Sequence, residues 1–365
     1  MQDAVRMDLD KVYGLAKSLL LRQGFNEAHA ESIARTVTAA ERDECRHHGL
    51  FRIPFYVKGL KSGLATGDRE PTISELTPSV IRVDGHYGFS NLALERGDQP
   101  LADRAQKYGI AAMALNHVHS IVALWPEVER LAARGLVGYS FVSAAPYVAP
   151  YGGTKPLFGT NPIAFAWPRD GMPPFCFDLA TSASARGEIQ IRLRDGKSLP
   201  DGWAIGPDGE PTNDPKQALL GAQLPFGGFK GSALSAMVEL LAGPLVDDFL
   251  SYESAEYDTA NTGTCCSGQL VIAMDPALFT LNRDRKKQLE HGERLFKRIL
   301  DQEGTRLPSD RRYEARKRTV VEGITVPRSL YETLLTFEQG QEDTVARDYE
   351  GDRIISKQRD QAHPI

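Results

Sequence analysis

The stretch ECRHHGLFRIP, residues 44–54, sets two adjacent imidazoles, His47 and His48, ahead of Gly49 and Arg52. Histidine is the side chain whose ordinary pKa lies nearest neutrality, which suits it to deliver a proton to a carbonyl or imine as hydride arrives. Arg52 follows His48 by four residues and would share its face on a helix, where a guanidinium can grip a carboxylate through two parallel bonds. The spacing therefore reads as a proton donor beside a carboxylate clamp. The plain structural alternative is a histidine that caps a helix start next to a solvated arginine. Glu188, closing the run DLATSASARGE, offers a carboxylate that could orient an imidazole, or a simple surface charge. His117 and His119 in NHVHS could turn both rings to one side of a strand. No third or fourth ligand can be named, so no metal is assigned.

A second patch could hold phosphate. The chain has neither a GxGxxG nor a GxxxxGK[ST] motif, which removes the standard Rossmann turn and the P-loop. PFGGFKGSALSAMVELL, residues 225–241, combines two glycines that let backbone approach a ligand, the point charge of Lys230, and a following helix N-terminus with free N–H groups. Tight packing is the structural alternative for such a glycine-rich helix start.

The elements that must position these groups alternate along the chain. Residues 10–23 and 26–41 read as two helices, with Gly24 as a C-cap and Asn26 as an N-cap. SVIRVDG, IAAMALN, LVGYSFVSAA, PFCFDLA and GQLVIAMDP read as strands; NLALERGDQPLADRAQKYG, LWPEVERLAARG and SALSAMVELLAG read as helices between them. Charged helices return from residue 282, ending near PRSLYETLLTF. The expected class is α/β, with a mostly helical domain from residues 1–70 plus 282–338, a small α/β segment over 71–119, a cofactor-binding α/β domain over 120–281, and a flexible charged tail over 339–365.

Composition excludes some partners. With 365 residues, 41% hydrophobic, and a formal net charge of −5, the chain can bury a large core but has no bulk attraction for nucleic acid or anionic lipid. No run of 18 consecutive apolar residues is present, and four cysteines without a CxxC pair point to reduced thiols, so a cytoplasmic protein with no membrane or nucleic-acid partner is expected.

Several blocks, in order, resemble the malate/L-lactate dehydrogenase family: RHHGLFRIPFYVKGLKSG, ALWPEVERLAARGLVGYSFV, GTNPIAFAWP, DLATSASARGEI and LPFGGFKGSALSAMVELLAG. The resemblance runs from about residue 7 to 335 and is closest to its Δ1-piperideine-2-carboxylate/Δ1-pyrroline-2-carboxylate reductases. It implies a non-Rossmann NAD(P)-binding fold with a helical N-/C-terminal domain, NADP(H) rather than NAD(H), a small-molecule carboxylate substrate and a homodimer with the site near the subunit interface. Residue by residue, it implies His48 as proton donor, Arg52 as the carboxylate arginine, and Glu188 where the family has a relay aspartate. It also implies substrate contact at Thr160 and cofactor contacts at Ser120, Ile121, Val122, Ala123, Leu124, Asp178, Leu179, Ala180, Phe229, Lys230, Ser309, Asp310 and Arg311.

The chain departs from the family pattern at three of these places. His47 stands where relatives have the serine of a Ser-His-Gly signature, Ser120 and Ile121 where they have His-Phe, and Phe229 where they have the histidine of GGHKG. Three readings are compatible with the sequence. His47 takes over the relay; His119 fills the volume vacated at position 120; or the scaffold serves another, non-redox step. Dehydrogenation of a 2-hydroxy acid is a further alternative, because it would use the same residues.

Overall fold

A computed structural model describes residues 4–338; the tail expected over 339–365 lies outside the described residues. The chain opens with strand β1 (Ala4–Met7), then α1 (Leu9–Arg22) and α2 (Glu27–Arg42). Asp8 caps α1 by accepting from the Lys11 N–H, and Asn26 caps α2 by accepting from the His29 N–H. The two helices expected from apolar spacing are thus found within a residue or two of their expected ends, with Gly24 in positive φ just past the first. Two short 3-10 turns, Arg46–His48 and Leu50–Arg52, lead into α3 (Ile53–Lys61), whose first turn carries Pro54.

Next come β2 (Thr72–Thr77), β3 (Val80–Phe89), α4 (Ser90–Tyr108), β4 (Ile110–Ser120), α5 (Trp125–Ala133), β5 (Val137–Val142), β6 (Ile163–Trp167) and β7 (Phe175–Leu179). After these the chain forms α6 (Arg186–Arg194), α7 (Pro215–Leu220) and the small β8/β9 ladder of Ala204–Ile205 and Ala222–Gln223. Helices α8 (Phe229–Ala242) and α9 (Ser251–Tyr257) precede β10 (Cys265–Met274). Finally α10 (Arg285–Leu300), α11 (Asp310–Glu322), β11 (Ile324–Pro327) and α12 (Arg328–Glu338) complete the described chain.

Seven strands form one sheet in the order β2-β3-β4-β10-β5-β6-β7, parallel only between β3 and β4. Residues 71–119 therefore give three strands to the same sheet as residues 120–281. β10 inserts between β4 and β5, and its near-continuous buried run follows from being covered on both faces. Helix α4 packs on β3 and β4, sealing Ile81, Val83, Leu101, Met113 and Leu115 into one core. A second core joins α1, α2 and α3 to Ile324, Val326 and Leu334, because β1 pairs antiparallel with β11 and brings the two ends of the helical layer together.

The window Phe229–Val246 is long and apolar enough by composition to cross a membrane. Here Val238 and Val246 instead pack with Phe141 of β5 and Leu270 of β10, while Leu240 and Leu245 stay 61% and 63% exposed. This helix therefore covers the sheet with one apolar side and presents another outward.

Candidate functional site

A cavity of about 2070 Å³ runs between the helical layer and the β5–β7 side of the sheet. The His-His turn forms part of one wall. His48 and Arg52 do not share a regular helix: Gly49 breaks the path with a ψ of −143°, and each residue sits on its own 3-10 turn. Both still line the cavity, together with His47. The Arg52 Nε donates to the His47 carbonyl at 2.7 Å, and its guanidinium lies 5.3 Å from the Phe55 ring centre. Arg52 is thereby bound to the turn that carries the imidazoles.

The rings of His47 and His48 stand 4.5 Å apart. The His48 Nδ1 is directed at the Ile121 carbonyl, at 3.5 Å. Burial depresses the His48 pKa well below its ordinary value, and the neighbouring His47 and Arg52 charges add to the effect. The His47 pKa is also lowered, by burial and then by Arg52, with Glu188 opposing them. Glu188 Oε1 accepts from Arg192 Nε at 3.1 Å, so its carboxylate is tied along α6, and the imidazole its charge acts on is that of His47. A direct Glu188–His48 bond, which the relay of the sequence analysis implied, is not among the contacts of these described residues.

From β4 and the loop after it come Ser120, Ile121, Val122 and Ala123. Ser120 Oγ lies 3.3 Å from Ser90 Oγ. His119, next to it, points into the protein: its Nδ1 meets Thr264 Oγ1 at 3.0 Å and its Nε2 meets the Leu64 carbonyl at 3.2 Å. Burial lowers its pKa to about 4. His119 therefore does not fill the position that Ser120 leaves, since strand alternation sends the two side chains to opposite faces. His117 is separate again, held by Asp84 Oδ2 at 3.0 Å and stacked on Tyr87.

The opposite wall brings Thr160, Asp178, Leu179, Ala180, Ser309 and Arg311 to the same cavity. Asp178 Oδ2 accepts the Leu124 and Trp125 N–H groups at 2.7 and 3.1 Å, capping α5, although burial raises its pKa. Leu124 and Asp310 stand behind the wall; Asp310 Oδ2 accepts the Leu307 N–H at 2.8 Å. Phe229 and Lys230 lie outside the cavity lining on the exposed start of α8, with Phe229 62% exposed and edge-on to Tyr151.

Residues that the sequence did not single out complete the site. Arg306 and Arg312 join Arg311 around the N-terminus of α11, and Lys155 from a loop and Arg186 from the start of α6 add charge. Ser309 takes the left-handed region at φ 69° and donates its Oγ to the Cys176 carbonyl at 2.6 Å. Arg312 stacks 4.4 Å above Trp125 and bonds Ser309 Oγ and Glu129, while its buried Nε has no partner. Glu129 also holds Arg316, which clasps Asp43 through two contacts of 2.9 and 2.6 Å. One ion-pair chain thus runs from the basic wall to the residues just before the His-His turn. These groups come from five separate segments, and no spacing in the sequence links them.

The two walls differ in chemistry. A cavity this size exceeds the usual 300–1,000 Å³ of a single small ligand. Its basic end, with three arginines, a helix N-terminus and an unsatisfied Arg312 Nε, fits the phosphates of a dinucleotide. Its other end offers an imidazole beside a guanidinium, a setting for a small carboxylic acid.

Known proteins resemble this chain over most of its length. The profile of the malate/L-lactate dehydrogenase family matches residues 7–335. The chain is 49% identical over 332 residues to Delta(1)-pyrroline-2-carboxylate reductase 1 of Burkholderia ambifaria, covering 91% of this chain and 97% of that one. It is 49% identical over 331 residues to the Delta(1)-pyrroline-2-carboxylate/Delta(1)-piperideine-2-carboxylate reductase of Pseudomonas aeruginosa, covering 91% and 98%. Among solved structures it superposes on delta1-piperideine-2-carboxylate reductase from Pseudomonas syringae pvar. tomato with a TM-score of 0.85 at 39% identity, over 91% of this chain and 99% of that one.

Proposed function

The chain belongs to the malate/L-lactate dehydrogenase family of oxidoreductases, and from that premise we propose that it reduces a cyclic 2-imino acid, of the Δ1-pyrroline- or Δ1-piperideine-2-carboxylate type, to the cyclic amino acid. The observation that carries this reading is that His48 and Arg52 line the same cavity as Arg306, Arg311 and Arg312. The names of the similar reductases support it.

A nicotinamide nucleotide, NADP(H) before NAD(H), supplies the hydride when bound. Ser309, Arg311 and Arg312 with the α11 N-terminus would hold its phosphates, and the added basic charge of Arg306 supports a further phosphate. Asp178 to Ala180, Thr160 and Ser120 to Ala123 would wall the ring end. Arg52 holds the substrate carboxylate, which sets the C=N bond beside His48. As C2 gains hydride, the imine nitrogen takes a proton, which protonated His48 would supply. His47, 4.5 Å away and under the field of Glu188, is placed to restore that proton.

The test is NADPH and NADH oxidation followed at 340 nm with both cyclic imines, oxaloacetate and pyruvate. Turnover with a cyclic imine and NADPH is expected to exceed all other pairs. Turnover only with the 2-oxo acids would replace the reading by 2-hydroxyacid dehydrogenation. Nucleotide binding without any turnover would show that His47, Ser120 and Phe229 have moved the scaffold off redox chemistry.

A pH prediction follows from the Arg52 field. Reduction needs protonated His48, so the rate falls as pH rises through its pKa, which in the free protein is depressed below 6.5. A bound carboxylate neutralises Arg52 and removes one cause of that depression. The limb in kcat, which reports the complex, should therefore lie at higher pH than the limb in kcat/KM, which reports the free enzyme. Coincident limbs in the two profiles would sink this account of Arg52.

For partners, we propose a second copy of the chain against the outward apolar side of α8. Exposed Leu240 of α8 and Leu245 of the Pro244–Val246 turn just after it support it. Cys45, Cys176, Cys265 and Cys266 are unpaired, with thiol pKa values raised by burial, which fits a reducing cytoplasm.

A further inference from the structure

Beneath the His-His turn lies a carboxylate that the reaction scheme above does not use. Glu41, one residue before the end of α2, is 4% exposed. Its Oε1 accepts the Leu50 N–H at 2.8 Å, so the chain from His48 to Leu50 folds over it. A side chain at Gly49 would drive its Cβ into this carboxylate, which accounts for glycine at that position although its φ is an ordinary −88°. The turn and Glu41 are thus fitted to one another at van der Waals distance. Burial pushes the Glu41 pKa up to about 7, with Arg46 the one nearby charge that opposes it. A carboxyl group costly to bury is kept where a leucine of similar volume would pack without that cost.

What the carboxylate supplies is a directed acceptor. The Leu50 N–H belongs to the peptide that joins the two 3-10 turns, one bearing His48 and the other Arg52. Holding that N–H fixes the angle between the turns, and with it the separation of the proton donor from the carboxylate clamp. A chemical step that must align hydride, imine and proton is sensitive to displacements of about 1 Å.

We propose that Glu41 is a positioning residue that sets the relative placement of His48 and Arg52 by gripping the Gly49–Leu50 peptide from below. This rests on the reading of His48 as the proton donor. It touches neither substrate nor cofactor, and a glutamine in its place can still accept the same N–H through its amide oxygen.

Three variants of the full-length protein test it: Glu41→Gln, Glu41→Leu and Gly49→Ala. Each is assayed for kcat and KM with Δ1-piperideine-2-carboxylate, for NADPH affinity by fluorescence titration, and for thermal unfolding. Glu41→Gln should stay within about threefold of the parent in kcat. Glu41→Leu and Gly49→Ala should lose at least tenfold in kcat while NADPH affinity changes less than twofold, because the arginines of the basic wall are carried by residues 306–312 and not by the Gly49–Leu50 peptide. Undiminished kcat in Glu41→Leu overturns the proposal. So does a Gln variant as impaired as Leu, or a loss of NADPH affinity in step with kcat, since either would mean that the residue only supports the fold. If Glu41→Leu does not fold, Glu41→Gln and Gly49→Ala decide by the same criteria. His48→Ala measured alongside separates the two failures: full activity there removes the proton-donor reading itself, whatever Glu41 does.

Discussion

Replacing His48 with alanine should lower kcat by about 10²- to 10⁴-fold, the usual contribution of a positioned general acid. The backbone that carries it should survive, because the turn is held from below by the Leu50 N–H bond to Glu41 and from the side by the Arg52 bond to the His47 carbonyl. A thermal melt within a few degrees of the parent would show this. NADPH binding should also be kept, since the basic wall is supplied by other elements. The neighbouring His47 complicates the outcome in a useful way. Its ring is close enough to take over part of the transfer, so a variant that loses less than tenfold should lose the remainder when His47→Ala is added. A full rate in the double variant would assign the proton to water and end the role of both imidazoles.

Arg52→Ala has the second largest expected effect, and on a different constant. A bidentate bond between charged groups contributes roughly 1.5–3 kcal/mol, so KM for the imino acid should rise about 10- to 150-fold. A smaller fall in kcat accompanies it, because the Nε bond to the His47 carbonyl is lost as well. Arg52→Lys keeps the charge without the planar fork and should recover only part of the loss. The sharpest control is a cyclic imine without its carboxyl group. On it parent and variant should differ only by the smaller kcat deficit that follows from the lost His47 bond, if Arg52 acts on the carboxylate, whereas an equal overall deficit on both substrates would give Arg52 a purely structural role.

Much of this site was legible as residues and little of it as geometry. Helices α1 and α2 were readable because their apolar spacing and their cap at Asn26 agree. The inner strands of the central sheet were readable for a similar reason, whereas the exposed edge strand β2 was missed because it buries no face, and the insertion of β10 between β4 and β5 left no signal either. That pairing is decided by contacts between segments more than a hundred residues apart, which leave no local pattern. A spacing of four would put His48 and Arg52 on one face only if the segment were a helix; they sit on two 3-10 turns, because Gly49 must lie against Glu41. His119 could be imagined beside Ser120, but β4 alternates and sends its ring to Thr264. Arg306, Lys155 and Arg186 gave no signal, since isolated basic residues in loops or at a helix start look like solvated charges until the fold gathers them around one cavity. Glu41 was hidden for the opposite reason: on a helix one residue before its end, a glutamate reads as surface.

The pairing of β1 with β11 bears on how the molecule is made. The core under the His-His turn is built from residues near the start of the chain and from Ile324, Val326 and Leu334 near its close. During synthesis, α1 and α2 emerge early but must wait with an open apolar side until almost the entire polypeptide has left the ribosome. The seven-stranded sheet, whose strands all lie between residues 72 and 274, can assemble in that interval. Contacts so distant in sequence form slowly and expose hydrophobic surface meanwhile. His48 therefore precedes the whole sheet in chain order, yet the core beneath its turn closes only after β11 is in place, and a chain cut short before β11 would keep the sheet while the helical layer under that turn lost Ile324, Val326 and Leu334.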